Sequence, residues 1–108
     1  VSVEQLIADL QAARYAAADA GASAAESDVQ RRLTRSRIVA DMIREPNPAT
    51  GKPWSATAAD EAARTHTDYL AAEHAAVEAA HQRDILHADA ESLRLRVDYA
   101  LASLRAGN

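Results

Sequence analysis

Residues 69–104 read YLAAEHAAVEAAHQRDILHADAESLRLRVDYALASL. Within them Tyr69, Ala72, Ala76, Ala79, Arg83, Leu86, Ala90, Leu93, Val97, Ala100 and Leu104 follow one another at alternating spacings of three and four. That rhythm holds one row of side chains along a single line of an α-helix and is the seam of a coiled coil. Only Arg83 in the row is polar. Arg105 in the last turn and Gly107 just past it suit a helix C-terminus, so a long helix is expected over about residues 68–105. At 1.5 Å per residue such a helix is roughly 57 Å long.

A matching pattern opens the chain. Ser2 followed three residues later by Gln5 reads as a capping box that starts a helix at Val3. Val3, Leu6, Leu10, Ala13, Ala17, Ala20 and Ala24 then repeat the three-and-four spacing. The next apolar set, Val29, Leu33, Ala40 and Ile43 with Ser36 between, keeps the rhythm but is out of phase with the first. Two readings explain the offset. The helix breaks near Gly21 and restarts at a second capping box, Ser23 with Glu26, or one continuous helix carries a stutter. Unbroken, residues 3 to 45 would span roughly 64 Å.

Pro46, Pro48, Gly51 and Pro53 end this first helix, because each proline lacks an amide donor and restricts the residue before it. The connector, residues 46–67, holds the loop Asn47-Pro-Ala-Thr-Gly-Lys-Pro-Trp-Ser55. Its Gly51-Lys52 pair does not make a phosphate-binding loop. The Walker pattern requires a glycine where this chain has Pro46, and a Ser or Thr where it has Pro53. Thr57 with Asp60 is read as the cap of a short helix running to about Arg64, and Thr65 with Asp68 as the cap of the second long helix. Trp54 is expected to cover the end of the helical pair, with a partner-facing anchor as the other reading.

Composition sets the same frame. Twenty-eight of the 108 residues are alanine, none is phenylalanine, and there are one Trp, three Tyr and one Met. So few large side chains suit a thin helical pair better than a deep globular core. A net charge of -4 gives no overall attraction to polyanions, so any nucleic-acid contact has to be a local patch. The absence of cysteine excludes disulfides, thiolate catalysis and Cys-based zinc sites. There is no run of 18 apolar residues, and the start VSVEQLIADL has no basic and apolar leader pattern. A cytoplasmic protein without membrane contact is expected. The basic residues are eleven Arg and a single Lys, which with the alanine content points to a GC-rich coding origin.

The residues singled out for chemistry are few. Arg31, Arg32, Arg35, Arg37 and Arg44 concentrate positive charge on the second half of the first helix, where a stripe can track phosphates. The competing reading pairs them with Glu73, Glu78 and Asp84 across a hairpin. His66, His74, His81 and His87 lie close together in sequence, and Glu78 with His81 makes one Glu-x-x-His step. Di-iron bundles need two such steps plus two further carboxylates around one core, whereas Asp84 with His87 falls on the same helix. No metal or cofactor is therefore expected, and with no nucleophile elbow or oxyanion loop to be read, no enzyme activity either.

The connector and the residues after it, Asn47 through Arg64, resemble a segment of small helical proteins encoded by bacteriophages and prophages. In these, an Asn-Pro-x-Thr-Gly-Lys-Pro-x-Ser element precedes a short helix and then a long charged one. Such proteins are mostly of unassigned function, some encoded near recombination genes, so the resemblance implies origin more than activity. A second resemblance is to the helical-hairpin proteins of type VII secretion, which have a Trp-x-Gly turn and a Tyr-x-x-x-Asp/Glu export signal. Trp54-Ser55-Ala56 lacks that glycine. Tyr69-Leu-Ala-Ala-Glu73 has the signal's spacing but opens the second long helix, where the family carries it near the C-terminal end.

The sequence thus predicts a single all-α domain: an elongated, coiled-coil-like antiparallel hairpin with a short connector helix and the open question at Gly21. Apolar positions left beside the seam, Leu70, Val77, Ile85 and Leu101, predict a further layer, most simply a homodimer with four helices. The function expected is non-enzymatic binding of a protein partner, with Arg31, Arg32, Arg35, Arg37 and Trp54 as candidate contact residues. Direct nucleic-acid binding through the Arg31 to Arg37 stripe is the alternative.

Overall fold

Alanine-rich periodicity becomes three α-helices in the computed structural model, which describes residues 1–107. They are α1, Val3–Met42, α2, Ala56–Arg64, and α3, Thr67–Gly107. No strand occurs among the described residues. The chain is all-α, a helical hairpin whose connector carries a short helix.

The start of α1 follows half of the expected capping box. The Gln5 amide donates to Ser2 Oγ at 3.1 Å, but the Gln5 side chain turns forward to Asp9 Oδ1 at 2.8 Å instead of back to Ser2. The helix then runs unbroken through Gly21 to Met42. A helix-interior glycine costs only about 1 kcal/mol relative to alanine, too little to break a helix whose neighbours Ala17 and Ala24 are both buried. Without a break, Ser23 and Glu26 have no cap to form.

There is no stutter either. Val3, Leu6, Leu10, Ala13, Ala17, Ala20, Ala24, Ser27, Arg31, Thr34 and Ile38, in unbroken three-and-four alternation along α1, are all buried or half-buried. The inner seam therefore continues in phase and turns polar after Ala24. The out-of-phase set Val29, Leu33, Ser36, Ala40 and Ile43 lies entirely on the exposed side.

Contacts fall into two units. The first joins Val1–Ala24 to the chain from Ala79 onward. There Leu6, Leu10 and Val97 are buried together, with Leu93, Ala100 and Leu101 packed against them. Leu6 shares a groove with Ala100, and Ala17 one with Ala90, so the two helices run antiparallel in this unit. The α3 seam takes up its predicted positions, each buried or half-buried from Tyr69 to Ala100, and only Leu104 at its end is exposed.

The second unit is Ala25–Glu78. Here α1, α2 and the start of α3 meet: Ile38, Ala63 and Tyr69 form the buried cluster, with Val39 and Met42 against it. Ala63 is fully buried and Ala59 is 1% exposed, so α2 offers α1 two methyl groups and comes close.

The helix caps of this unit differ from those expected. Ser55, not Thr57, caps α2 by accepting from the Ala58 amide at 3.1 Å. Thr65 ends α2 instead of starting α3, its hydroxyl donating to the Ala62 carbonyl at 3.0 Å. His66 opens α3, Nδ1 accepting from the Asp68 amide at 3.1 Å. In both cases the capping residue sits directly before the first helical residue, as the geometry of an N-cap requires.

Candidate partner-binding surface

The five arginines do not form one face. Arg31 lies half-buried in the second unit, donating to Asp28 Oδ1 from Nε at 3.2 Å and from Nη2 at 2.8 Å, while Nη1 donates to the Tyr69 hydroxyl at 3.1 Å. Arg35 turns toward α2 and lies 3.5 Å from Asp60 Oδ1, whose other oxygen pairs with Arg64 at 3.1 Å. Arg32, Arg37 and Arg44 point outward. Arg32 bonds to Asp28, Arg37 stands 3.5 Å from Asp68, and Arg44 is 3.9 Å from Asp41. The carboxylates beside the arginines are thus Asp28, Asp41, Asp60 and Asp68, while Glu73, Glu78 and Asp84, expected across the hairpin, do not fill that role.

The hydrogen bonds from Arg31, and then from Arg32, hold the Asp28 carboxyl below its ordinary range. Arg94 does the same for Glu91 in the first unit, and it also bonds Asp98 at 2.9 Å. All of these are exposed or partly exposed pairs of modest strength.

Trp54 is half-buried in the second unit. The loop before it is held by its own side chains and backbone. Asn47 Oδ1 accepts from the Ala49 amide at 3.0 Å, and the Asn47 carbonyl accepts from Gly51 at 2.7 Å. Thr50 Oγ1 accepts from the Lys52 amide at 3.2 Å. Gly51 has φ +68°, the left-handed region that only glycine enters without cost. Asn47, Thr50 and Gly51 thus have structural tasks in the turn, and Ser55 has one in the cap.

Tyr69, the tyrosine of the export-signal spacing, is 4% exposed and faces Arg31. The four histidines are exposed on α3 or at its cap, and no group of three or more potential ligands that could hold a metal ion occurs among the described residues.

The grooves on the surface are open and shallow. One of about 420 Å³ is lined by Leu6, Ser92, Leu95, Arg96, Tyr99 and Ala100 in the first unit. Another of about 380 Å³ runs between α1 and α2 in the second, over Val39, Ala40, Ile43 and Ala56, with Arg35 and Asp60 at its edge. Neither offers a water-excluding cluster of acid, base and nucleophile. Both border side chains whose exposure the sequence reading had missed: Leu95 is 56%, Tyr99 77% and Ile43 57% exposed. The signal was present in the sequence as a second helical rhythm outside the seam.

No protein-family model, no curated protein and no solved structure matches the chain.

Proposed function

We propose that this chain is a non-enzymatic protein-interaction module that binds a macromolecular partner along its helices. What supports the reading is the exposure of large apolar side chains at helical spacing, Val29 and Leu33 on α1 with Ile43 directly after it, and Leu95 and Tyr99 on α3. Exposed apolar side chains arranged in rows on helices suit helix-against-groove recognition. The resemblance of residues 47–64 supports a phage or prophage accessory protein acting in the cytoplasm of a bacterial host. Its partner is then a DNA-metabolism or defence component of phage or host, and the module itself works as a homodimer.

A second reading, direct nucleic-acid binding, draws on Arg32 and Arg37, whose side chains are 64% and 61% exposed. Arg31 and Arg35 are half-buried, which narrows the stripe available to phosphates, and Arg32 and Arg37 each stand beside an aspartate of the same chain. No helix among the described residues is long and apolar enough to cross a membrane.

The test is capture of partners from a GC-rich bacterial lysate by tagged protein, with and without nuclease. A protein retained after nuclease treatment supports the module reading. Recovery that vanishes with nuclease moves the arginines to first place, and a steep loss of affinity with salt, relieved in Arg32→Glu with Arg37→Glu, would then establish phosphate contact.

A further inference from the structure

Both long helices carry an outward row of side chains at coiled-coil spacing that the inner seams leave unused. On α1 and the residue directly after it, Val29, Leu33, Ser36, Ala40 and Ile43 follow at four, three, four and three residues, and all are exposed, Leu33 by 56%. The Ile43 amide still donates to the Val39 carbonyl at 3.0 Å, so the last of them keeps helical geometry. On α3, Ile85, Ala88, Ser92, Leu95, Tyr99 and Ala102 alternate three and four, again all exposed. Each row lies on the side of its helix away from the inner seam. At 1.5 Å per residue the two rows run roughly 21 and 26 Å, close enough in length to cover one another.

The rims of these rows differ in charge. The α1 row is edged by Arg32, Arg37 and Arg44, with side chains 64%, 61% and 78% exposed. The α3 row is edged on one side by Asp84, Glu91 and Asp98, at 69%, 57% and 58%, and on the other by Asp89 and Arg96. Pairing α1 with α1 of another copy would set arginines against arginines, and pairing α3 with α3 would set carboxylates against carboxylates. Arg96 adds one basic residue to the α3 rim, and the rim arginines of α1 stand beside aspartates of their own chain. Of the three pairings, α1 against α3 still brings the most unlike charges to the edge of an apolar contact, the arrangement that selects partners in coiled coils.

We propose that the occupant of these rows is a second copy of this chain, the α1 row of one copy packing on the α3 row of the other. The inference rests on the interaction-module reading and names one partner and the faces it uses. Two variants test it by sedimentation equilibrium, Val29→Gln with Leu33→Gln and Leu95→Gln with Tyr99→Gln. All four residues are exposed, so helicity by circular dichroism should match the parent chain. The parent chain is expected to self-associate, and each variant to do so at least roughly tenfold more weakly, since two apolar side chains leave the contact. An equimolar mixture of the two is expected to associate again, because it restores one intact α1 row facing one intact α3 row. Weakening in only one variant, or a mixture no stronger than its components, would overturn the pairing in favour of like-with-like contact. A parent chain that stays monomeric would overturn the second-copy proposal and with it the homodimer of the proposed function, while a nuclease-resistant partner in the lysate capture would leave the partner-binding module standing.

Discussion

Asp28 shows how a single side chain ties the polar part of the second unit together. It accepts from Arg31 and Arg32, and Arg31 in turn reaches the hydroxyl of buried Tyr69. Because its folded-state pKa is lowered, Asp28 contributes stability that is fully present above the ordinary aspartate range and is lost as pH falls through the lowered value. Glu91, lowered by Arg94, acts in the same direction. Asp28→Asn is therefore expected to lower the melting temperature near neutral pH, and the gap to the parent chain should close as the solution is acidified below the carboxylate range. A gap that stays constant from neutral to acid pH would show that the charge of Asp28 is not what holds Arg31.

At the scale of the elements, the termini and interior of each helix respond to different changes. Gly21 sits inside α1 with nothing within 4 Å of the position a Cβ would take and no positive φ. Gly21→Ala should stabilise the chain by about 0.5–1 kcal/mol, read from urea unfolding, since it restricts the unfolded chain and improves helix propensity. A loss of stability would mean that the helix needs its glycine. The start of α2 depends on a cap. Ser55→Ala removes the acceptor for the Ala58 amide and is expected to cost about 1 kcal/mol, while Thr57→Ala should change little. The reverse order would restore Thr57 as the cap that the sequence pattern alone suggests.

Across the whole molecule the supply of buried surface is small. Among the described residues nine are buried, four of them alanine, and none of the buried ones is polar or charged. Stability of a domain this size is a small difference between large opposing quantities, so each larger buried side chain counts for a great part of it. Leu10→Ala in the first unit and Ile38→Ala in the second should each cost roughly 2–5 kcal/mol. Exposed Leu33→Ala should stay within about 0.5 kcal/mol under conditions where the chain is monomeric. Denaturant midpoints of the three variants check this, and equal losses at Leu10 and Leu33 would contradict the assignment of inner and outer rows.

How much of this was legible beforehand follows from where the information sits. The α3 seam from Tyr69 to Ala100 and the α1 seam from Val3 to Ala24 could be read directly, because apolar residues at three-and-four spacing report the buried face of a helix wherever that face is apolar. The all-α class and the proline-bounded connector followed from the same local chemistry. Residues 25–43 deceived that logic. Their most hydrophobic row, Val29, Leu33, Ala40 and Ile43, is the outer one, while the inner row is Ser27, Arg31, Thr34 and Ile38. An arginine can face inward there because Tyr69, thirty-eight residues away, brings a hydroxyl to meet it. The cluster around Ile38 is closed by Ala63 of α2, a contact that no local pattern announces. The sequence by itself determined the helices, their limits to within a few residues and the apolar seams. Only the tertiary structure decided which face of α1 is inside after Ala24 and which residues cap α2 and α3, because burial there depends on partners distant in the chain and caps depend on which residue stands directly before the helix.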